Sequence, residues 1–300
     1  MKMPAALKRH LQVVMTPSLY SRVTTMLLPR TTAKSTKMCR RLLVDKSGFE
    51  VGGPSCIFSA DGLMPLYPVV ANVDNCNFSH ATTWEGELCE GLNYHFSPRR
   101  PPGFQYIREA ADLAGIPSQR YDFLLSSHNI EHLANPLKAL YEWRRVIVSD
   151  GILVLVVPHR EGTFDWRRPV TPLAHILDDY EQGRDESDLT HLGEVLELHD
   201  LEQDAGSSGI DSFKERSLRN VENRCIHHHV FDTEAVVELM HYAGFELLAI
   251  EALPPNNIIA IGRKAPEGKS FDNSRFRGAT AAFHRTSPFV GDRYQPCGAE

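Results

Sequence analysis

Phe49–Ser55 reads FEVGGPS: an acid stands between two apolar residues, and two adjacent glycines follow at once. The pattern predicts a buried strand that runs into a glycine turn. Adjacent glycines let the backbone approach a ligand without side-chain interference, which is how a doubly wound α/β domain receives a nucleoside-bearing cofactor. The turn is not a full G-x-G-x-x-G, and it lacks the Gly-Lys-Ser/Thr of a phosphate-cradling loop. A nicotinamide dinucleotide would want the third glycine and room for a pyrophosphate, and Pro54 works against both.

Outward from this stretch, strand-like and helix-like runs alternate from Phe49 to Lys264, the order expected of a mostly parallel sheet covered on both faces. A second strand is expected at Val69 to Val73, ending at Asp74, and a third at Phe104 to Ile107. Tyr121 to Ser126 (YDFLLS) predicts a short strand and Asn135 to Val148 an amphipathic helix with Pro136 in its first turn. Asp150-Gly151 then turns the chain into Ile152 to Val157 (ILVLVV), a run suited to a strand buried on both faces. After Pro158 the pattern breaks for about seventy residues, longer than an ordinary connection, so a helical lid inserted at about 159–230 is expected. It holds two helical patterns, Thr171 to Gln182 and Leu189 to Leu201. A helix from Asp232 to Ala243 and strands Phe245 to Glu251 and Asn257 to Gly262 follow, the last two as an antiparallel hairpin across Pro254-Pro255. Residues 265–300 are polar and patternless and read as a flexible tail.

The chain has 300 residues, a formal charge of -6 and 42% apolar content, which fits a globular protein and argues against a general polyanion binder. Its six cysteines include no C-x-x-C pair, so neither a zinc knuckle nor a redox pair is indicated, and reduced thiols in a cytoplasmic setting fit. No apolar run approaches the roughly 20 residues that span a bilayer. The first 44 residues carry no Asp or Glu. Residues 1–41 therefore read as a basic leader, helical through Leu7, Leu11, Val14 and Met15 or loosely attached, with a mitochondrial transit peptide as the alternative.

Over residues 42–264 the chain resembles the class I S-adenosylmethionine-dependent methyltransferases, specifically the type 11 methyltransferase-domain group. FEVGGPS stands at that family's acidic-glycine motif. The block YDFLLSSHNIEHLANPLKALYEWRRVIVSDGILVLVVP matches its fourth strand, helix and fifth strand in order and spacing. The resemblance implies a Rossmann-like methyltransferase fold with an antiparallel last strand, and S-adenosyl-L-methionine as cofactor. It implies that Gly52 and Gly53 pass beneath the methionine part, that Glu50 attracts its ammonium, and that Asp74 accepts from both ribose hydroxyls. Glu109 and Ala110 would flank the adenine, and Ser126 and Ser127 would line the point of methyl transfer. The implied activity is methyl transfer to a small-molecule or glycan acceptor. Nothing matches the Asn-Pro-Pro-Tyr of base methylation, so nucleic acid is not expected as substrate.

The third glycine of the motif is missing, which keeps open a second reading, a methyltransferase-like binding protein without turnover. A third arises from His128-Asn-Ile-Glu131-His132, which spells the H-x-x-E-H of a metal-dependent hydrolase. A regular helix through all five residues is not expected between a strand and Asn135-Pro136, so no metal is assigned. His227-His228-His229 is a second cluster; in an extended segment at most two of the three converge. Residues after the fifth strand sit where open α/β sheets bind ligands. Arg160, Arg167 and Arg168 are therefore candidates for an anionic substrate, and Phe164 and Trp166 for stacking on it. As general base for an oxygen acceptor, His159 is the first candidate and His128 or His132 the next.

Overall fold

The computed structural model describes residues 32–293 except 205, 207, 208 and 267. The expected leader helix through Leu7 to Met15 lies outside the described residues; the first element is helix α1, Thr36–Leu43.

Eight strands form one sheet in the order β5-β6-β2-β1-β7-β8-β10-β9. They are β1 (Ser47–Val51), β2 (Asn72–Asn77), β5 (Gly91–Tyr94), β6 (Gly103–Ile107), β7 (Tyr121–Ser127), β8 (Ile147–Pro158), β9 (Phe245–Leu253) and β10 (Asn257–Lys264). A separate ribbon joins β3 (Ala81–Thr82) to β4 (Gly86–Glu87). The β6-β2-β1-β7-β8 block is parallel, whereas β10 runs antiparallel to β8 and to β9. This is the Rossmann-like methyltransferase arrangement, and the Pro254-Pro255 hairpin is formed as expected.

One face of the sheet is covered by α2 (Pro136–Val146) and α7 (Thr233–Tyr242), whose Leu137, Leu140, Trp143, Val237 and Met240 are fully buried. Asn135 and Asp232 cap these helices by accepting from the amides of Lys138 and Ala235. The other face departs from expectation. Between β1 and β2 the chain makes only a 3-10 turn at Cys56–Phe58, and Phe58, Met64, Leu66 and Val70 join Cys39 and Leu43 of α1 to cover the sheet. The helix-strand alternation thus begins only after β7.

Between β8 and α7 the chain forms α3 (Leu173–Glu181), α4 (Leu192–Leu198), α5 (Ile210–Leu218) and α6 (Asn220–Asn223). Their own apolar cluster is small, with Val195, Phe213 and Ile226 at its centre.

The tail expected to be free is packed through residue 293. Ala281 and Phe283, on and beside α8 (Phe283–Thr286), join the core under β9 and α7. Asp292 accepts from the Thr233 amide (3.1 Å), the Thr233 hydroxyl (2.6 Å) and Ser287 (2.5 Å), and sits 3.2 Å from His159 Nε2. A buried carboxylate with four polar partners fixes this segment, and polar composition concealed it.

Candidate functional site

A cavity of about 550 Å³ opens at the carboxyl edge of the sheet, between the ends of β1, β2, β7 and β8 and the helical insertion. Its floor is the turn after β1. Gly52 has φ +74°, and a Cβ there would meet the Asn129 amide nitrogen at 2.7 Å, so only glycine fits. A Cβ on Gly53 would meet the Glu50 carboxyl at 2.3 Å. The Gly53 amide donates to Asn75 Oδ1 at 3.0 Å, which ties the turn to β2.

Glu50 faces the opposite side of the sheet from the cavity. Its carboxylate is fully buried and accepts from Tyr67 (2.8 Å), Tyr94 (2.6 Å) and the Ser55 amide (3.2 Å). Burial pushes its carboxyl up to about 7, against the pull of these hydrogen bonds. The acid braces the glycine turn from behind instead of reaching a ligand.

Asp74 is likewise committed elsewhere. It pairs in register with Phe49, three residues short of Gly52, and so lies about 10 Å below the sheet edge at the rise of a strand. It accepts from the Phe104 amide (2.8 Å), Asn72 (3.0 Å) and the Tyr121 hydroxyl (2.9 Å). Strand β2 runs on to Asn77, and it is Asn77 that lines the cavity. The Asn77 amide nitrogen is buried without a hydrogen-bond partner, as is Asn129 Oδ1 across the floor.

Of the other expected cofactor residues, Glu109, Ala110 and Ser127 line the cavity, whereas Ser126 is fully buried outside it. Glu109 is held at 2.5 Å by Arg224, which also lines the wall. Among the expected substrate residues only Phe164 reaches the cavity. Arg160 donates to the carbonyl of Arg168, Trp166 to Asp200, and Arg167 lies 5.0 Å over the Trp166 ring beside Asp200. Arg168 is buried against Asp165, Glu194 and the His227 carbonyl, so its charge anchors the insertion and is not offered to a substrate.

The histidines sort differently from expectation. His159 does not line the cavity; its ring stacks on Phe289 at 3.9 Å and points at Asp292, where the packed tail consumes it. His128 and His132 do line the cavity. His128 stands at φ +50° before a 3-10 turn at Ile130–His132, and its Nε2 lies 3.0 Å from Asn257 Oδ1. The backbone break thus separates His128 from Glu131 and His132, and the H-x-x-E-H set does not converge. His227 joins them instead: ligand atoms of Glu131, His132 and His227 lie within 4.8 Å of one another.

His227 is the residue that sequence reasoning underrated. Its Nδ1 meets Asp165 Oδ2 at 2.5 Å, which leaves Nε2 for the cavity wall. Burial disfavours the imidazolium, but Asp165 outweighs it and raises His227 above the ordinary histidine value. Burial also works against the Asp165 carboxylate, yet His227 and Arg168 hold its carboxyl down at about 2. An ionised carboxylate that fixes the tautomer and orientation of an imidazole is a general-base arrangement.

Residues 82–155 match the family model described as methyltransferase domain, type 11. No curated protein matches the chain in sequence. Among solved structures, the chain is similar to an S-adenosylmethionine-dependent methyltransferase from Mesorhizobium loti, with 12% identity, coverage of 77% of this chain and 98% of that one, and a TM-score of 0.41. It is similar also to the 1,6-didemethyltoxoflavin-N1-methyltransferase of Burkholderia thailandensis, with 10% identity, 89% and 94% coverage, and a TM-score of 0.42. A methyltransferase from Aquifex aeolicus is 12% identical over 88% of this chain and all of that one, at a TM-score of 0.38.

Sheet order and cavity position are those of the Rossmann-like methyltransferase class of fold. Within that class, residues 82–155 are a type 11 methyltransferase-domain segment. The residues present fit the cofactor. Gly52 allows a close backbone approach, and the Asn77 amide nitrogen, which lines the cavity without a partner, can donate to a hydroxyl oxygen. The unpartnered Asn129 oxygen suits an ammonium.

Proposed function

We propose that the chain methylates an oxygen of a small-molecule or glycan acceptor, with His227 as the general base. S-adenosylmethionine, when bound, supplies an electrophilic methyl group. Gly52, Asn77, Asn129 and Glu109 hold and orient the cofactor along the floor. Catalysis then rests mainly on alignment, because methyl transfer is an in-line displacement. With the cofactor held there, its methyl group would pass to the acceptor oxygen in exchange for its bond to sulfur, and His227 Nε2 would take the hydroxyl proton. Asp165 stabilises the imidazolium that results. Phe164, with its ring 4.6 Å from that of His227, and Trp84, 5.5 Å from His132, offer flat apolar faces for the acceptor.

The single observation that carries this reading is the buried Asp165–His227 pair opening onto the same cavity as the glycine turn. The test is release of S-adenosylhomocysteine across a panel of phenols, sugars and hydroxy acids, with cofactor binding followed by calorimetry. His227→Ala is expected to keep cofactor affinity and to lower turnover by about 10²–10⁴-fold. Unchanged turnover in that variant would remove His227 from the role. Cofactor binding with no turnover on any acceptor would favour the binding-protein reading.

A further inference from the structure

A second group of histidines and carboxylates lies in the helical insertion, apart from the cavity floor and unused by the chemistry above. His175 and Asp179 are one turn apart on α3, and His191 precedes α4. His175 Nε2 is 3.3 Å from His191 Nε2 and 3.3 Å from Asp179 Oδ2. Both separations match the edge of a tetrahedron, about 3.3 Å, whose corners sit 2.0–2.1 Å from a zinc ion. His229 is fully buried beside them, and its Nε2 is 3.8 Å from the same Asp179 oxygen.

One donor of the group has no hydrogen-bond partner in the protein. Asp179 is buried, and its Oδ2 has no hydrogen-bond partner. The Nδ1 atoms of His228 and His229 are also buried without partners. His175 Nε2 and His191 Nε2 share one hydrogen bond, so the proton between them leaves when both ligate, and with Asp179 Oδ2 the three donor atoms lie within 4.8 Å of one another. Hydrogen bonding within the protein leaves that oxygen bare, whereas a dication would satisfy it.

We propose that His175, Asp179 and His191 form a site for a zinc-like divalent transition metal. Two nitrogen donors and one oxygen donor suit Zn²⁺ with water in the fourth position, with Co²⁺ as a spectroscopic substitute. The insertion has reason to carry one. Among the described residues its own apolar cluster centres on only three buried side chains, Val195, Phe213 and Ile226, and a metal would join α3 to the start of α4.

A second triad, Asp188, His191 and His228, shares His191, and a third group, Glu131, His132 and His227, lies at the cavity. The experiment separates them. Zinc content of the purified full-length chain is measured by elemental analysis, and Co²⁺ is titrated into the chelator-treated protein while the visible spectrum is followed. Melting temperature is recorded with and without chelator. One zinc per chain is expected, with a tetrahedral cobalt spectrum and a lowered melting temperature on chelation. His191→Ala should abolish binding. His175→Ala, whose side chain is 43% exposed and so tolerates truncation, should weaken binding by at least the roughly 10–100-fold that loss of even an outer partner costs. The double variant Glu131→Gln/His132→Ala should retain the metal. A metal-free wild type with no cobalt spectrum overturns the proposal. Loss of metal in the Glu131→Gln/His132→Ala variant but not in His175→Ala also overturns it, by moving the ion to the cavity. Loss in His228→Ala with full retention in His175→Ala overturns the ligand set in favour of the second triad.

Discussion

Replacing Asn77 and Asp74 in turn should separate ligand recognition from fold maintenance. Asn77→Ala removes an amide donor that is buried without a partner in the free protein. If that donor meets a cofactor hydroxyl, its loss costs about 1 kcal/mol of binding, or roughly a fivefold rise in Kd for S-adenosylhomocysteine. The free protein should lose little, because leaving a buried amide unsatisfied itself costs about 1–3 kcal/mol, which offsets the packing removed. Its melting temperature should stay within about 3 °C. Asp74→Ala does the reverse. It strips the acceptor from the Phe104 amide, Asn72 and the Tyr121 hydroxyl. Orphaning the amide and the hydroxyl costs about 3 kcal/mol, roughly 6 °C in melting temperature for a domain of this size. Cofactor affinity of the folded fraction should be unchanged. Calorimetry with S-adenosylhomocysteine and thermal unfolding by circular dichroism measure the two quantities on the same samples. Loss of binding in Asp74→Ala at an unaltered melting temperature, with Asn77→Ala silent, would refute the reasoning and return the ribose contact to the acid.

Two further outcomes are expected. Gly52→Ala forces a side chain onto φ +74° and onto the Asn129 amide, at about 1–2 kcal/mol for the backbone alone; calorimetry should show S-adenosylhomocysteine binding weakened by more than about tenfold. For Glu50, burial lifts the carboxyl from 4.5 to about 7, so its contribution to stability is complete below about 4.5 and is lost as pH rises through 7. That displacement is worth about 3 kcal/mol, and Glu50→Gln should flatten the fall in denaturant midpoint between pH 4.5 and 8 relative to the wild type. Parallel pH curves for the two proteins would show that Glu50 does not titrate there.

The parallel half of the sheet was legible because burial on both faces writes itself into local composition. ILVLVV and YDFLLS fall in β8 and β7, and Asn135 and Asp232 mark the starts of their helices through a local capping bond. Strand β2 was misplaced because NVDNCN is polar by composition, while all but its first residue are buried. Its side chains are satisfied across strands, by Gln105, Gly53 and Phe104, and those partners are invisible from position along the chain. The error carried Asp74 into the site in place of Asn77. The Asp165–His227 pair spans 62 residues, and no periodicity links its members. The glycine turn, in contrast, is a local steric statement, and the cavity lies where it pointed. His159 misled for the opposite reason: its position after the fifth strand was right, but a partner 133 residues on takes it out of reach.

Asp292 gives the boundary of the protein a meaning that strand counting misses. A fragment cut after Lys264 would keep every strand of the sheet, yet it would bare the amide and hydroxyl of Thr233 at the first turn of α7 and leave the imidazole of His159 facing a hole. The sheet and the smallest autonomous folding unit therefore do not coincide, and any excised version intended for crystallisation or display should retain the chain at least through Arg293.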